Sequence, residues 1–395
     1  MHVKLIGIGC SGGQLTAEAI REIENADIII GAKRMLDALP AHHAKTAAAY
    51  LPGDICSVLT EQRPENACVV FSGDTGFYSG VRTLLPVLEN AGIEAGILPG
   101  ISSLQTLSAR IGLPWQDWKL CSAHGVDCDV LSEVMSGKPC FFLTGGKHTP
   151  NSICKELTEA GLGSLTVYAG ENLGYPEENV FKSTAEEFSV HAFEPLCVLL
   201  TEAAPIYENN IPGIPDDDFI RSKVPMTKRE IRAAILSALR VTKNDICWDI
   251  GAGTGSVSVE LALNSKGTWA LERKREALEL IRENREKFRA WNLRIAEAEA
   301  PDGMDKLPRP DAVFIGGSGG NLKDILKVVH NANPNARICI SAIAVETLSD
   351  ALKILETLGY ETEITQISVS RTKPVGGLHL LMAQNPIFLI TGETK

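Results

Sequence analysis

Residues 246–260 constrain the fold of this chain more than any other stretch, because they must run as a strand into a tight turn and out again as a helix. The apolar run Ile246-Cys247-Trp248-Asp249-Ile250 ends in Gly251, Gly253 and Gly255, after which Val257, Val259 and Leu261 resume the apolar pattern. Glycine lets the backbone bend sharply and come close to a ligand, and the new helix points its free N–H groups at whatever sits over the turn. A nucleotide-like cofactor suits that place. The dinucleotide fingerprint Gly-x-Gly-x-x-Gly needs its third glycine where this chain has Ser256, so a dinucleotide is disfavoured. An acidic side chain for ribose hydroxyls is expected about 20 residues on, at the end of the next strand, and Trp269-Ala270-Leu271-Glu272 supplies Glu272.

Gly-x-Gly-x-Gly followed by Glu272 resembles the S-adenosylmethionine (SAM) site of Rossmann-like methyltransferases. That resemblance implies SAM as the cofactor, held by Gly251, Gly253, Thr254, Gly255 and Glu272, with Thr227 and Ala300 from neighbouring loops. The alternative for the motif alone is a βα turn that binds nothing.

A length of 395 residues allows two or three domains. The 44% apolar and 22% charged content is that of a globular protein, and no apolar run approaches the ~20 residues of a membrane helix. Ten cysteines show no Cys-x-x-Cys pair and the histidines no ligand spacing, so the expectation is a reduced, cytoplasmic chain without a metal. A net charge of −11 disfavours nucleic acid as a partner and leaves any anionic substrate to local Lys and Arg.

The first half, residues 1–204, alternates glycine-bounded apolar segments with helical patterns. Leu84, Leu85, Leu88 and Ala91 mark one helix face, and Leu104, Leu107 and Ile111 another. Such alternation predicts an α/β domain with a largely parallel sheet, joined to a second sub-domain near Trp115–Trp118. Three loops fall at the carboxyl ends of expected strands, where open α/β sheets bind ligands: Gly7–Gly13, Ser72–Gly80 and Leu98–Ser103.

These loops resemble those of the tetrapyrrole methylase family. Gly7 and Gly9 match its opening glycines, although Cys10-Ser11 stand where many members have Pro-Gly. Gly73-Asp74 with Gly76-Phe77-Tyr78-Ser79 matches its second loop, Pro99-Gly100-Ile101-Ser102-Ser103 its third, and Gly170–Glu177 the loop that closes the site from the second sub-domain. The implied fold is a two-subdomain α/β methylase. Its SAM site would use Gly7, Gly9, Asp74, Tyr78, Gly100, Ser102 and Ser103; Asp74 would orient cofactor or substrate, and the Ser102-Ser103 backbone would receive a carboxylate.

Residues 205–226, rich in proline and carrying Asp216-Asp217-Asp218, read as a linker whose acidic run is solvated surface or a helix start. Thr227 with Glu230 has the pattern of a capping box. Residues 227–395 read as a Rossmann-like domain in which Asp311–Ile315 is the fourth strand, ending in Gly316-Gly317-Ser318-Gly319-Gly320 and leaving room for a substrate.

The segment 206–392 resembles the decarboxylating precorrin methyltransferases of cobalamin biosynthesis through Gly213–Ile220, Thr227-Lys228, Trp248–Glu260, Phe314–Gly320 and Asn385-Pro386. Together the two resemblances imply a methyltransferase of ring carbons 5 and 15 of a tetrapyrrole that also decarboxylates the acetate on ring carbon 12, with two SAM sites per chain. Gly316, Gly317, Lys228, Arg371, Lys373 and His379 are the candidates for its carboxylate-rich substrate, and no residue is singled out for catalysis. RNA or protein methylation, and a first domain that only holds a tetrapyrrole, remain open alternatives. A homo-oligomer formed through the C-terminal domain is expected.

Overall fold

The first apolar run forms β1 (His2–Gly7), which lies between β4 (Asn66–Phe71) and β5 (Ala95–Leu98), with β2 (Ile28–Gly31) and β3 (Lys45–Ala48) completing an all-parallel sheet in the order β3-β2-β4-β1-β5. Helices cover both faces of such a sheet, so its inner strands are apolar at consecutive positions: Val3, Leu5 and Ile6 in β1 and Ile28–Ile30 in β2 are all buried. The helix Val81–Asn90 buries Leu84 and Leu88 and half-buries Leu85, while Ala91 lies past its end and is exposed; Ser103–Ile111 buries Leu104 and Leu107 and half-buries Ile111. The structure is a computed structural model and describes residues 1–125, 128–209 and 211–394.

Trp115–Trp118 leads into a second sheet formed by β6 (Lys119–Ser122), β7 (Cys140–Leu143), β8 (Thr166–Glu171), β9 (Asn179–Thr184) and β10 (Cys197–Thr201), ordered β6-β7-β10-β8-β9. Only β6 and β7 run parallel; the other neighbours are antiparallel. The largely parallel sheet expected for this half is therefore found in its first sheet alone. Period-two patterning marks a strand but carries no information about its direction.

Contacts divide the chain into the units Met1–Ala204 and Pro205–Lys395. In the second unit, β11 (Ile246–Ile250), β12 (Gly267–Glu272), β13 (Leu293–Glu297), β14 (Ala312–Ile315) and β15 (Arg337–Ala342) are parallel. After β16 (Glu361–Ile367), a separate ribbon forms from β17 (Ser370–Val375) and β18 (Leu378–Ala383), and β19 (Ile387–Glu393) returns antiparallel between β15 and β16. The sheet order is β13-β12-β11-β14-β15-β19-β16, so successive strands leave β11 in opposite directions and open a crevice above the carboxyl ends of β11 and β14.

The stretch expected to be a linker packs into this second unit. Trp291 and Arg289 donate to the carbonyls of Pro205 and Ile206 at 2.7 and 2.8 Å, and Ile214 and Phe219 join the core around Val259, Ile281 and Phe288. Asn210, within that stretch, lies outside the described residues. The acidic run forms a short 3-10 turn, Asp216–Asp218, with Asp217 and Asp218 exposed as expected, but Asp216 is buried. Its Oδ1 accepts from the Arg229 amide and from the Arg232 guanidinium, both at 2.9 Å. Arg232 is 0% exposed and also donates to Glu260 at 2.7 Å, to the Thr227 carbonyl at 2.6 Å and to the Ile214 carbonyl, with its Cζ 4.6 Å from the Phe219 ring centroid. A buried guanidinium needs carboxylate partners, and that need draws Asp216 inward. The expected capping box is absent: the helix Arg229–Leu239 is capped by Lys228 without a side-chain bond, and Asp216 satisfies the Arg229 amide instead.

Candidate functional site

In the second unit the glycine turn does what its spacing requires. Gly251 has φ +74, and a Cβ there would stand 2.4 Å from the Gly317 carbonyl oxygen, so glycine lets the loops after β11 and β14 touch. The helix Ser256–Asn264 starts at the turn with its N-terminus on a cavity of ≈480 Å³. Glu272, at the end of β12 and 8% exposed, accepts the Gly253 amide on Oε2 and the Arg273 and Lys274 amides on Oε1, each at 2.9 Å. A carboxylate oxygen has two lone pairs, so Glu272 braces the turn and keeps acceptor capacity for a hydroxyl. The Thr254 hydroxyl is buried without a protein partner. An acceptor for a ribose hydroxyl, backbone N–H groups at a helix start and an orphaned hydroxyl together fit the adenosine and amino-acid parts of SAM.

Thr227, Lys228, Gly251, Gly253, Thr254, Glu272, Ala300, Gly316 and Gly317 all line this cavity. Gly255 does not: it caps the helix at φ +75 and faces Ile281. Arg371 is also displaced from its expected role, because its guanidinium pairs with Asp216 at 3.2 Å and Glu230 at 2.6 Å. Lys373 and His379 lie on the exposed β17–β18 ribbon and do not line the cavity. In their place Arg273 and Lys274 line it. Their position directly after Glu272 was the signal that could have identified them.

Asp249, two residues before the turn, is 1% exposed; its Oδ2 accepts the Ser258 hydroxyl and its Oδ1 has no partner. Burial pushes its pKa from 3.8 up to about 7, with the Glu272 charge adding and the Ser258 bond opposing. A carboxyl whose folded pKa exceeds its unfolded value takes up a proton on folding between the two. Its contribution to stability is complete below about pH 4 and is lost as pH rises towards 7. Asp249→Asn should therefore gain stability over the unsubstituted chain at pH 8 and lose that advantage near pH 4, as read by urea unfolding. A stability difference independent of pH would contradict this.

The first unit has its own cavity, of ≈450 Å³, among loops of its two sheets. Asp74, Tyr78, Ser102 and Ser103 line it, joined by Cys10, Arg34, His124 and Tyr175. Gly7, Gly9 and Gly100 do not. Gly9 and Gly73 exchange N–H to C=O bonds of 3.2 and 2.7 Å, Gly100 donates to Asp74, and Gly7 is the last residue of β1. Asp74 ties loops together, with Oδ1 accepting the Gly76 amide at 2.8 Å and Oδ2 the Gly100 amide at 3.0 Å. Tyr78, at φ +47, donates to the Leu120 carbonyl at 3.0 Å. The Ser102 amide, expected to receive a carboxylate, is already bonded at 2.8 Å to Gln105 in a capping box. Arg34, which no sequence motif marks, donates to the Tyr175 hydroxyl at 2.7 Å.

Two family models match the chain: tetrapyrrole (corrin/porphyrin) methylases over residues 2–189 and a precorrin methyltransferase domain over residues 218–392. A Sulfurisphaera tokodaii protein named probable cobalt-precorrin-6B C(15)-methyltransferase (decarboxylating) is 40% identical over 188 residues, covering 46% of this chain and 98% of that protein. A Sinorhizobium precorrin-6Y C(5,15)-methyltransferase [decarboxylating] is 29% identical over 391 residues, covering 95% of this chain and 92% of that protein. Among solved structures, a precorrin-6Y C5,15-methyltransferase from Geobacter metallireducens is 40% identical, with a TM-score of 0.45, covering 47% of this chain and 98% of that one. The open α/β sheet, its glycine turn, the two family models and the two curated relatives define a SAM-dependent methyltransferase. The chain belongs to the decarboxylating precorrin methyltransferase family of cobalamin biosynthesis. No helix among the described residues is long and apolar enough to cross a membrane.

Proposed function

We propose that each unit holds its own SAM and that both act on one corrinoid precursor, the first unit methylating ring carbon 5 and the second methylating ring carbon 15 and removing carbon dioxide from the acetate on ring carbon 12. The observation that carries this reading is the pair of cavities, one within each unit, framed by unlike glycine loops. The bound sulfonium supplies an electrophilic methyl group. In the second unit Glu272 would accept a ribose hydroxyl on Oε2, Thr254 and the turn amides would hold the rest of the cofactor, and Lys228 and Lys274 the substrate carboxylates. Gly316 and Gly317 would let the macrocycle lie over β14 with its carbon in line with methyl and sulfur, which is the main demand on the protein when the ring itself is the nucleophile.

The intact chain should be given SAM with precorrin-6B or its cobalt form, and separately with rRNA. Two methyl groups and one carbon dioxide per corrinoid are expected. Labelled RNA with an untouched corrinoid would contradict the reading. A cytoplasmic homo-oligomer formed through the second unit is part of the same proposal, supported by the β17–β18 ribbon, whose Leu378 and Leu381 are 67% and 75% exposed. Sedimentation of the intact chain measures it.

A further inference from the structure

We propose that His124 is the proton acceptor of methyl transfer in the first unit's cavity, a role that rests on reading that cavity as a methyl-transfer site. When the electron pair of a ring carbon forms the new bond to methyl, the sulfur–methyl bond breaks onto sulfur and leaves a neutral thioether. The positive charge passes to the macrocycle. It is discharged by loss of a ring proton, and a group on the cavity wall with an uncommitted basic lone pair can take that proton and pass it to water.

His124 follows β6 and lines the cavity. Its Nδ1 lies 3.1 Å from the Thr144 carbonyl, and a carbonyl only accepts, so Nδ1 carries the hydrogen and the neutral ring has its lone pair on Nε2. That acceptor is itself fixed, since the Thr144 hydroxyl donates to the Cys197 carbonyl at 2.6 Å. The ring's seat depends on Gly145, where a Cβ would stand 2.1 Å from Nδ1. Tautomer and ring position are thus both set by the backbone.

The other ionisable groups on this wall are committed elsewhere. Arg34 is a permanent cation bonded to Tyr175. Each oxygen of Asp74 accepts a backbone amide, and a carboxylate is a much weaker base than an imidazole. Burial raises the Cys10 thiol and pushes Cys197 up to about 12. Desolvation raises the Tyr78 hydroxyl, which is already donating to Leu120. His148, across the Gly145–His148 bridge, accepts the Cys128 amide on Nε2 at 3.3 Å and does not line the cavity. Among the described residues of this wall, His124 alone offers a basic nitrogen lone pair.

The test uses the intact chain and the corrinoid substrate, following carbon-5 methylation against pH together with carbon dioxide release by the other unit. His124→Gln should lower kcat for carbon-5 methylation roughly 10²- to 10⁴-fold and remove the acid limb of its pH profile. KM, SAM affinity and carbon dioxide release should stay unchanged. His124→Asn, which can still donate to Thr144, should be equally slow. Undiminished kcat in His124→Gln, recovery of kcat in His124→Asn, or a change in KM alone would each overturn the proposal. An unsubstituted chain inert towards the corrinoid would overturn the functional reading and this proposal with it.

Discussion

Gly317→Leu is expected to lower decarboxylation and carbon-15 methylation together, each by roughly 100-fold or more, while carbon-5 methylation of a supplied intermediate continues. A misplacement of about 1 Å in a reacting pair costs on the order of that factor. A Cβ at Gly317 meets no atom within 4 Å and the residue lines the cavity, so a larger side chain fills substrate space without colliding with the core. The variant should therefore fold and still bind SAM. Loss of carbon dioxide needs the acetate bond aligned with the conjugated ring as its electron sink, and methylation needs the same ring aligned with the methyl group. One blocked surface should stop both. Product analysis on the folded variant decides this: normal carbon dioxide release with methylation lost would assign the two steps to different pockets.

Arg232→Ala should destabilise the second unit by about 3–5 kcal/mol, the cost of leaving a buried ion pair half made. Glu260 is 1% exposed and, besides pairing with Arg232, holds the amides of Gly213 and Ile214 at 2.7 and 3.1 Å. Among the described residues, loss of the guanidinium leaves the Glu260 carboxylate buried without a counter-charge and Asp216 with Arg371 as its remaining ion-pair partner, and releases the 205–228 segment from beside the glycine turn. Replacing the charges in concert, as Arg232→Met with Glu260→Gln, should cost less than the sum of the single changes. Urea unfolding reads both effects. A loss below about 1 kcal/mol for Arg232→Ala would show that the buried network does not hold the segment.

What could be read from the sequence was local. The turn at Gly251–Gly255, Glu272 at the end of the next strand and the buried faces of the helices at 81–90 and 103–111 each follow from spacing over a few residues. The misreadings involve partners distant in the chain. Asp216 looks solvated until Arg232 is seen to be buried beside it. Arg371 looks available for a substrate carboxylate, yet it pairs with Asp216 and Glu230 across 155 and 141 positions. Arg34 and His124 carry no local signature, since one Arg on a short helix and one His after a strand resemble many others. They acquire meaning only when loops of two sheets bring them to one wall. The edge strands β3 and β9 carry only Ala47-Ala48 and Val180-Phe181 as apolar residues and lack the longer apolar run that marks β1 or β11.

Calorimetric titration of the intact protein with SAM, alongside Glu272→Ala, counts the cofactor sites of the chain. Two sites per chain are predicted. Glu272→Ala should weaken one of them by about 1.5–3 kcal/mol, roughly 10- to 150-fold, and leave the other unchanged. A single site per chain in the intact, active protein, or two sites both untouched by Glu272→Ala, would show that the two units do not each hold SAM in this way.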